Sequence, residues 1–255
     1  MNPPLRRSEI CLLAAGLVLV LLAWLANPMA QPALYHVFAD QRGWLGVPFA
    51  MDVLSNLPFA GFGLAGLLYL RRQRAARLDA VQLSLAALFF GGLLLTAVCS
   101  AWYHWQPDDA GLAVDRLGMA TVFAGLLGLA VAGRISARAG ALTALAALLL
   151  GPLSVWVWAV SGNVLPWGLM QFGGLALLLG LAWRKPLPGA LAVRWGALIL
   201  IYAVAKVLEL SDAAVFEFSG QHVSGHTLKH VVASFVAWPV IAALGRLGQN
   251  ATNKA

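Results

Sequence analysis

The sequence predicts an all-α membrane protein, a polytopic helix bundle, and three observations support this prediction. Hydrophobic residues make up 61% of the 255 residues and charged residues only 11%, which lies outside the usual range of soluble domains. The chain also contains ten tryptophans. Apolar runs of about 20 residues, enough to cross a hydrocarbon layer of roughly 30 Å, can be read along its whole length.

Eight such runs are the predicted membrane spans. Each ends where charged residues, glycine or proline interrupt the apolar pattern. The spans lie near residues 9–27, 47–70, 79–103, 115–133, 140–160, 164–183, 195–211 and 225–245. We therefore expect a seven-helix core, formed by the second to eighth spans, and one additional N-terminal transmembrane helix.

Basic residues occupy every second connection between these spans. They are Arg6, Arg7, Arg71, Arg72, Arg74, Arg77, Arg134, Arg138, Arg184, Lys185, Arg194, Arg246 and Lys254. Thirteen of the seventeen Lys and Arg thus lie on one side, so the positive-inside rule predicts a cell-membrane protein with both termini in the cytoplasm. The net charge of +7 forms no basic face, so it indicates topology and not nucleic-acid binding.

The domain organisation follows from the same pattern. Residues 1–46 are predicted as an anchor helix and a non-cytoplasmic loop, residues 47–246 as the catalytic core, and residues 247–255 as a cytoplasmic tail. A cleaved signal peptide is the alternative for the first span, but its long apolar run and poor cleavage spacing favour an uncleaved anchor. Cys11 and Cys99 lie inside spans and predict neither a disulfide framework nor a thiolate metal cluster.

Polar residues concentrate at the non-cytoplasmic ends of five predicted spans. Because ionisable groups are costly in hydrocarbon and normally face a bundle interior, this concentration predicts a functional site. The residues are Asp52, Ser55, Asn56, Ser100, His104, Asp115, Lys206, Glu209, Asp212, His226 and His230.

Three histidines in this group form a candidate zinc site. His226 and His230 are four residues apart and share one helix face, while His104 supplies a third ligand. Three neutral imidazoles leave a fourth position for water, as in catalytic zinc sites. Asp115 is then the candidate general base, and Ser100, one turn before His104, is the candidate donor to the substrate oxyanion. These groups predict hydrolysis of a membrane lipid amide or ester.

Structural roles are the alternatives for the same residues. A histidine pair on an apolar helix could form only interhelical hydrogen bonds, and Ser100 could bond back to its own helix. Asp115 could cap a helix or pair with Arg116. An ion pair is expected between Lys206 and Glu209, which are three residues apart. Capping or packing is the alternative for Ser55 and Asn56, and for Asp52 this structural role is favoured.

Three motifs resemble those of the alkaline ceramidase family, part of a membrane hydrolase superfamily that includes relatives of the adiponectin and progestin receptors. They are Ser100-Ala-Trp-Tyr-His104, Asp115-Arg-Leu-Gly-Met119 and His226-Thr-Leu-Lys-His230, and Asp52-Val-Leu-Ser-Asn56 resembles the family's first-helix motif. The resemblance covers about residues 47–245 and suggests a bacterial member. It implies one zinc ion held by the three histidines, catalytic Ser100 and Asp115, and hydrolysis of a ceramide-like amide to a fatty acid and a sphingoid base.

The chain departs from this family in its calcium-binding residues. Eukaryotic ceramidases carry a Trp-Cys-Glu segment and a further acidic residue, whereas this chain has an extra span and Phe49 at the acidic position. Asp40, Trp44 and Asp52 supply at most part of a replacement for a site of six to eight oxygen ligands. We therefore do not expect calcium regulation.

Two other functions remain open from the sequence. A receptor-like relative would bind zinc for stability or lipid sensing without turnover. A haem or proton-relay protein would use the intramembrane histidines differently, although His226 and His230 share one helix face and cannot both be axial ligands of one haem. The expected partner is a membrane lipid substrate, and the sequence indicates no particular protein partner.

Overall fold

The computed structural model describes residues 4–73 and 78–252, and the regular structure of these residues is helical. The helices are α1 (Arg7–Leu25), α2 (Ala50–Leu54), α3 (Leu57–Gln73), α4 (Ala80–Trp105), α5 (Asp109–Arg134), α6 (Ala137–Ser161), α7 (Leu165–Ala182), α8 (Trp195–Leu210), α9 (Asp212–Phe218), α10 (Gly225–Ser234) and α11 (Trp238–Thr252). Seven helical segments within the described residues are long and apolar enough to cross a membrane. The predicted all-α polytopic bundle is confirmed. Arg74, Arg77 and Lys254 lie outside the described residues.

Two predicted spans are interrupted helices. The second span, predicted at 47–70, forms α2 and α3 with a break at Ser55 and Asn56. The last span, predicted at 225–245, forms α10 and α11 with a 3₁₀ turn at Phe235–Ala237 between them. Each interrupted segment is still long enough to span when its parts are taken together.

The predicted span at 195–211 is shorter than expected. Helix α8 has 16 residues, which gives a length of about 24 Å at 1.5 Å per residue. The chain turns at Ser211 and continues as α9, because the Asp212 carboxylate is fixed by two backbone N–H groups. Its Oδ2 accepts from Ala39 N at 2.9 Å and its Oδ1 from His226 N at 2.7 Å.

Helix α5 begins at Asp109, six residues before the predicted start of its span. The Asp108 carboxylate accepts a hydrogen bond from Gly111 N at 2.6 Å and caps the helix. Asp115 therefore lies inside the helix and does not open it. This additional length allows α5 to pair with α4 as far as the histidine end of the bundle.

Close contact between α4 and α5 forms the centre of the bundle. A Cβ atom at Gly125 would lie 2.3 Å from the backbone nitrogen of Phe89, and one at Gly92 would lie 2.8 Å from that of Val122. Small residues of this kind let helix backbones approach in membrane proteins. Phe89 is fully buried beside this contact. The predicted N-terminal helix, α1, packs along α7, where Leu19 lies over Gly173.

The polar residues predicted to cluster do meet at one end of the bundle. This end contains the C-terminal turn of α4, the second turn of α5 and the starts of α2, α9 and α10. The segment from residue 26 to 49, between α1 and α2, lies against the same end. The side of the membrane on which it lies, and the division of the chain at residue 46, remain predictions.

We predict that Gly125→Ala destabilises the bundle. The added methyl group meets the Phe89 backbone, so the helices must separate at a cost of about 1–3 kcal/mol. Gly91→Ala is the matched control, because its Cβ would meet nothing within 4 Å, and both changes gain the same helix propensity. Thermal unfolding of the two variants in one detergent is the measurement. Equal midpoints would contradict this account of the packing.

Candidate metal centre

The three predicted ligands come together at the polar end of the bundle. The ring centroids of His104 and His226 are 4.8 Å apart, those of His104 and His230 are 4.7 Å apart, and those of His226 and His230 are 4.9 Å apart. All three side chains are buried, and one nitrogen from each lies within 4.8 Å of the others. The three histidines are therefore close enough to hold one metal ion.

The positions of the ring nitrogens fit a metal. The Nε2 atoms of His104 and His226 are 3.3 Å apart. Two nitrogens bound to one tetrahedral zinc at about 2.0–2.1 Å are separated by roughly the same distance. His230 Nε2 is buried and has no hydrogen-bond partner within residues 4–73 and 78–252. A donor set of neutral imidazoles suits zinc, and also copper, iron or nickel.

Hydrogen bonds from the break between α2 and α3 fix the orientation of His230. Ser55 Oγ donates to the backbone oxygen of Asp52 at 3.0 Å, and it lies 2.8 Å from His230 Nδ1. Because the hydroxyl proton is used toward Asp52, the His230 Nδ1–H donates to Ser55 Oγ. The lone pair of His230 therefore resides on Nε2, the atom that faces the other histidines. Supporting hydrogen bonds of this kind are typical around metal-binding histidines.

The start of α10 is held by residues from two other helices. Ser224 Oγ caps the helix by accepting from Thr227 N at 3.0 Å, and Thr227 Oγ1 donates to Asp52 Oδ1 at 2.7 Å. The His226 backbone nitrogen donates to Asp212 Oδ1 at 2.7 Å. Asp52, for which the sequence left a structural role open, thus connects α2 to α10. Asp212 positions His226 through the backbone.

Ser100 and Asp115 lie next to each other beside the triad. Both are buried, and they lie at the same level of the contact between α4 and α5, where a Cβ at Gly118 would meet Cys99 and one at Gly111 would meet Tyr103. The cap of α5 is Asp108, so the capping alternative for Asp115 is wrong. Arg116 is not its ion-pair partner among the described residues either, because the Arg116 guanidinium lies 4.1 Å from the centre of the Trp158 ring and donates to Gln31.

Lys206 and Glu209, two other charged residues of the predicted cluster, form an ion-pair group with Lys229. Lys206 pairs with Glu209 as expected from their spacing. Lys229 donates to the other oxygen of Glu209 at 2.9 Å, so one carboxylate accepts from two ammonium groups. Asn56 has a local role, since its Nδ2 donates to the Asp52 backbone oxygen at 2.9 Å. None of these contacts involves a triad imidazole.

Sequence reasoning did not identify the residues that cover the histidines. The ring of Phe38 lies 4.8 Å from that of His104 and 4.5 Å from that of His226, between centroids. No motif marks Phe38, because its contacts are with residues distant in the chain. The sequence gives one local indication that this segment is folded. Asp40 and Arg42 are two residues apart and can form an ion pair.

An ion pair anchors this segment next to Phe38. Arg42 donates to both carboxylate oxygens of Asp40, at 2.8 and 2.6 Å, and to the backbone oxygen of His222 at 3.0 Å. These hydrogen bonds hold the pKa of the Asp40 carboxyl below its ordinary value. Asp40, which the sequence suggested as part of a calcium site, is therefore paired with a guanidinium.

We predict that His226→Ala abolishes metal binding. The change removes one of three ligands, and two imidazoles from separate helices leave the ion incompletely coordinated. Elemental analysis of detergent-purified protein gives the metal content per chain. His222→Ala is the control, because its ring lies outside the triad and bonds to Ser219 O. Equal metal contents in the two variants would contradict the three-histidine site.

We also predict that Ser55→Ala lowers metal affinity by about 10–100-fold without removing a ligand. The loss of Ser55 Oγ leaves His230 Nδ1–H without its acceptor and frees the ring orientation. Ser234→Ala is a matched change at a buried serine whose hydroxyl bonds to its own helix at Val231 O. Competition with a chromophoric chelator measures both affinities. An affinity in Ser55→Ala equal to that in Ser234→Ala would remove Ser55 from the support of the site.

Comparison with models of known protein families and with curated proteins found no match. The resemblance to the alkaline ceramidase family therefore rests on the motifs around Ser100, Asp115 and the three histidines. In the structure, the three histidines of those motifs lie close together, and all three are buried. The chain is thus a polytopic helical membrane protein with a buried three-histidine cluster able to hold a metal ion.

Proposed function

We propose that the protein is a zinc-dependent hydrolase that cleaves the amide bond of a ceramide-like membrane lipid into a fatty acid and a sphingoid base. The observation that carries this proposal is the convergence of three buried imidazoles, with the buried residues Ser100 and Asp115 on the adjoining turns of α4 and α5. The resemblance of the same residues to the alkaline ceramidase motifs supports it. In this proposal both termini are cytoplasmic and the site lies near the opposite face.

His104, His226 and His230 would hold the metal. Zinc is favoured because three imidazoles match a catalytic tetrahedral site with a fourth position open. A bound zinc ion supplies a Lewis acid, which makes water acidic enough to lose a proton near neutral pH and polarises a carbonyl group. Ser55 keeps the His230 lone pair on the ligating nitrogen, and Asp212 fixes the backbone of His226.

Asp115 is proposed to transfer the proton. Its carboxylate takes a proton from the attacking water and later gives it to the amide nitrogen as the carbon–nitrogen bond breaks. One water is consumed, a carboxylic acid and an amine are formed, and the carboxylate is regenerated. Asp115 is buried inside α5 and has no ion-pair partner among the described residues.

Ser100 is proposed to donate a hydrogen bond to the carbonyl oxygen as negative charge develops on it. In the structure Ser100 and Asp115 lie at the same level of the contact between α4 and α5. A rotation about the χ1 angle of Ser100 directs its proton to a substrate oxygen without movement of the helix. Ser100 and His104 lie one turn apart on α4, so the hydroxyl and the metal would act on the same carbonyl group.

A largely apolar cavity supports a lipid substrate. It lies among α3, α4, α5, α7, α8 and α10, and its walls include Leu93, Phe123, Leu178 and Val236. Thr96 and Met119 also line it, and they lie one helical turn from Ser100 and Asp115 respectively. The cavity therefore comes within one helical turn of the proposed catalytic pair, and its apolar lining suits part of an acyl chain.

The geometry gives less support to haem. The ring centroids of the three histidines are 4.7–4.9 Å apart in every pair, and a porphyrin plane between two axial imidazoles needs ligands on opposite faces. A receptor-like protein without turnover would use the same zinc ligands. Turnover by purified protein distinguishes that alternative from a hydrolase.

We predict that Asp115→Asn retains the metal but loses at least about 100-fold in turnover, the usual contribution of a general acid–base group. Release of fatty acid from a ceramide in mixed detergent micelles measures turnover, and elemental analysis measures zinc. Glu217→Gln is the control, because Glu217 is an exposed carboxylate on α9. Full activity in Asp115→Asn would exclude it as the base. Bound zinc with no turnover of any acyl amide by the wild-type protein would favour the receptor-like alternative.

A further inference from the structure

Phe38 separates the histidines from the outer end of the bundle. Its side chain is buried, and its ring contacts the rings of His104 and His226 at centroid distances of 4.8 and 4.5 Å. Phe38 belongs to the segment between α1 and α2, which is not part of the predicted seven-helix core. Any substrate that approaches these two imidazoles from this end must pass the Phe38 ring.

An open surface cleft of about 560 Å³ lies between the chain that leads into α2 and the end of α4. It is lined by residues 43–48 and by Trp105. Two of its lining residues adjoin the site in the sequence, because Trp105 follows His104 on α4 and Pro48 precedes Phe49. The cleft is therefore next to His104 on one side and next to Phe49 on the other along the chain.

Phe49, which follows the cleft residue Pro48, packs against Phe38. Their ring centroids are 6.1 Å apart, with an edge-to-face interplanar angle of 80°. Phe49 has a left-handed backbone conformation, with φ 43° and ψ 44°, which non-glycine residues rarely adopt. This conformation turns the chain into α2 at the position where its side chain packs near Phe38.

The backbone around Phe38 is anchored on both sides. Ala39 N donates to Asp212 Oδ2 at 2.9 Å, so Asp212 links the Phe38 segment to the His226 backbone. On the other side, His36 Nδ1 lies 3.0 Å from the Tyr103 hydroxyl. These contacts hold the backbone on both sides of Phe38 in place.

The outer rim of the cleft has the character of a membrane interface. Trp44 is 62% exposed and Leu45 is 80% exposed, at the tip of a turn in which Trp44 and Val47 exchange two backbone hydrogen bonds of 2.9 Å. Trp105 is 48% exposed on the opposite wall. The lining residues carry no charge. Tryptophan side chains at the ends of membrane helices favour the headgroup boundary, so the molecule that borders this rim is a membrane lipid.

We propose that this cleft is the port through which one lipid of the surrounding leaflet reaches the histidines, and that Phe38 and Phe49 form its gate. The ligand class is a single lipid whose uncharged headgroup and amide region fit between Trp44 and Trp105. This inference rests on the proposed lipid substrate for its ligand, while the gate is a property of the two rings. In the structure, the Phe38 ring covers the rings of His104 and His226.

The gate is tested without metal or turnover. Histidines react with diethyl pyrocarbonate at a rate set by their accessibility, and mass spectrometry of the peptide that contains His226 measures that rate in chelator-treated, full-length protein. Phe38→Ala and Phe49→Ala should each raise the rate by about tenfold, because each removes one half of an aromatic pair. Phe218→Ala is the control, since Phe218 is 95% exposed on α9 at the same end of the molecule.

Phe38→Leu and Phe49→Leu are measured in the same way in case an alanine variant does not fold. They preserve most of the apolar volume but lose the ring contacts, so a smaller increase in the rate is expected. Unchanged rates in all folded variants at both positions would overturn the gate.

A photoactivatable ceramide in phosphatidylcholine vesicles tests the port. In Asp115→Asn protein, where the lipid should not be cleaved, cross-links should fall on residues 43–49 and Trp105, and excess ceramide should suppress them. Trp105→Ala should reduce this labelling several-fold, whereas Trp102→Ala, which alters an exposed tryptophan of α4 outside the cleft lining, should not. Competed cross-links confined to other faces of the bundle would overturn the port.

The outcomes of these experiments distinguish the proposed hydrolase activity from the proposed gate and port. If the phenylalanine variants expose His226 and ceramide is never cleaved, the proposed hydrolase activity is wrong and the gate remains. If ceramide is cleaved, and neither the phenylalanine variants nor Trp105→Ala change reactivity or labelling, the hydrolase proposal remains and the port is wrong.

Discussion

Burial of polar groups at one end of an apolar bundle is the constraint on which the rest of the structure depends. Lipid supplies no hydrogen bonds, so these groups must be satisfied by the protein or by a bound ion. The hydrogen-bond chain from the Asp52 backbone oxygen through Ser55 to His230 satisfies one imidazole nitrogen and leaves the other available as a ligand. This series of hydrogen bonds begins at the break between α2 and α3.

Two carboxylates outside the proposed catalytic pair, those of Asp52 and Asp212, hold the helix ends around the histidines together. Asp52 accepts from Thr227 and connects α2 to α10. Asp212 accepts from the backbone of both Ala39 and His226, so it connects the covering segment to a proposed metal ligand. A site built from so many helix ends requires such cross-connections, because helix packing in a membrane is not driven by the hydrophobic effect.

The segment between α1 and α2 covers the histidine cluster from the polar end of the bundle. It places Phe38 on two imidazoles and holds its backbone with the Asp40–Arg42 ion pair and the hydrogen bond to Asp212. In the proposed function, a reaction that uses water must occur next to hydrocarbon, and access for the lipid and for water must both be limited. The Phe38 ring over the proposed metal ligands serves that requirement, and the neighbouring cleft is the proposed route for the lipid.

The sequence alone determined the membrane class, most helix positions and the grouping of the three histidines, because hydropathy and four-residue spacing are local properties that helices express directly. Only the tertiary structure decided the break at Ser55, the short α8, the position of Asp115 inside α5 and the cover formed by Phe38. Each of these depends on contacts between residues far apart in the chain, such as Ser55 with His230 or Ala39 with Asp212. No periodicity encodes such contacts, because they arise from the packing of helix ends and connecting segments.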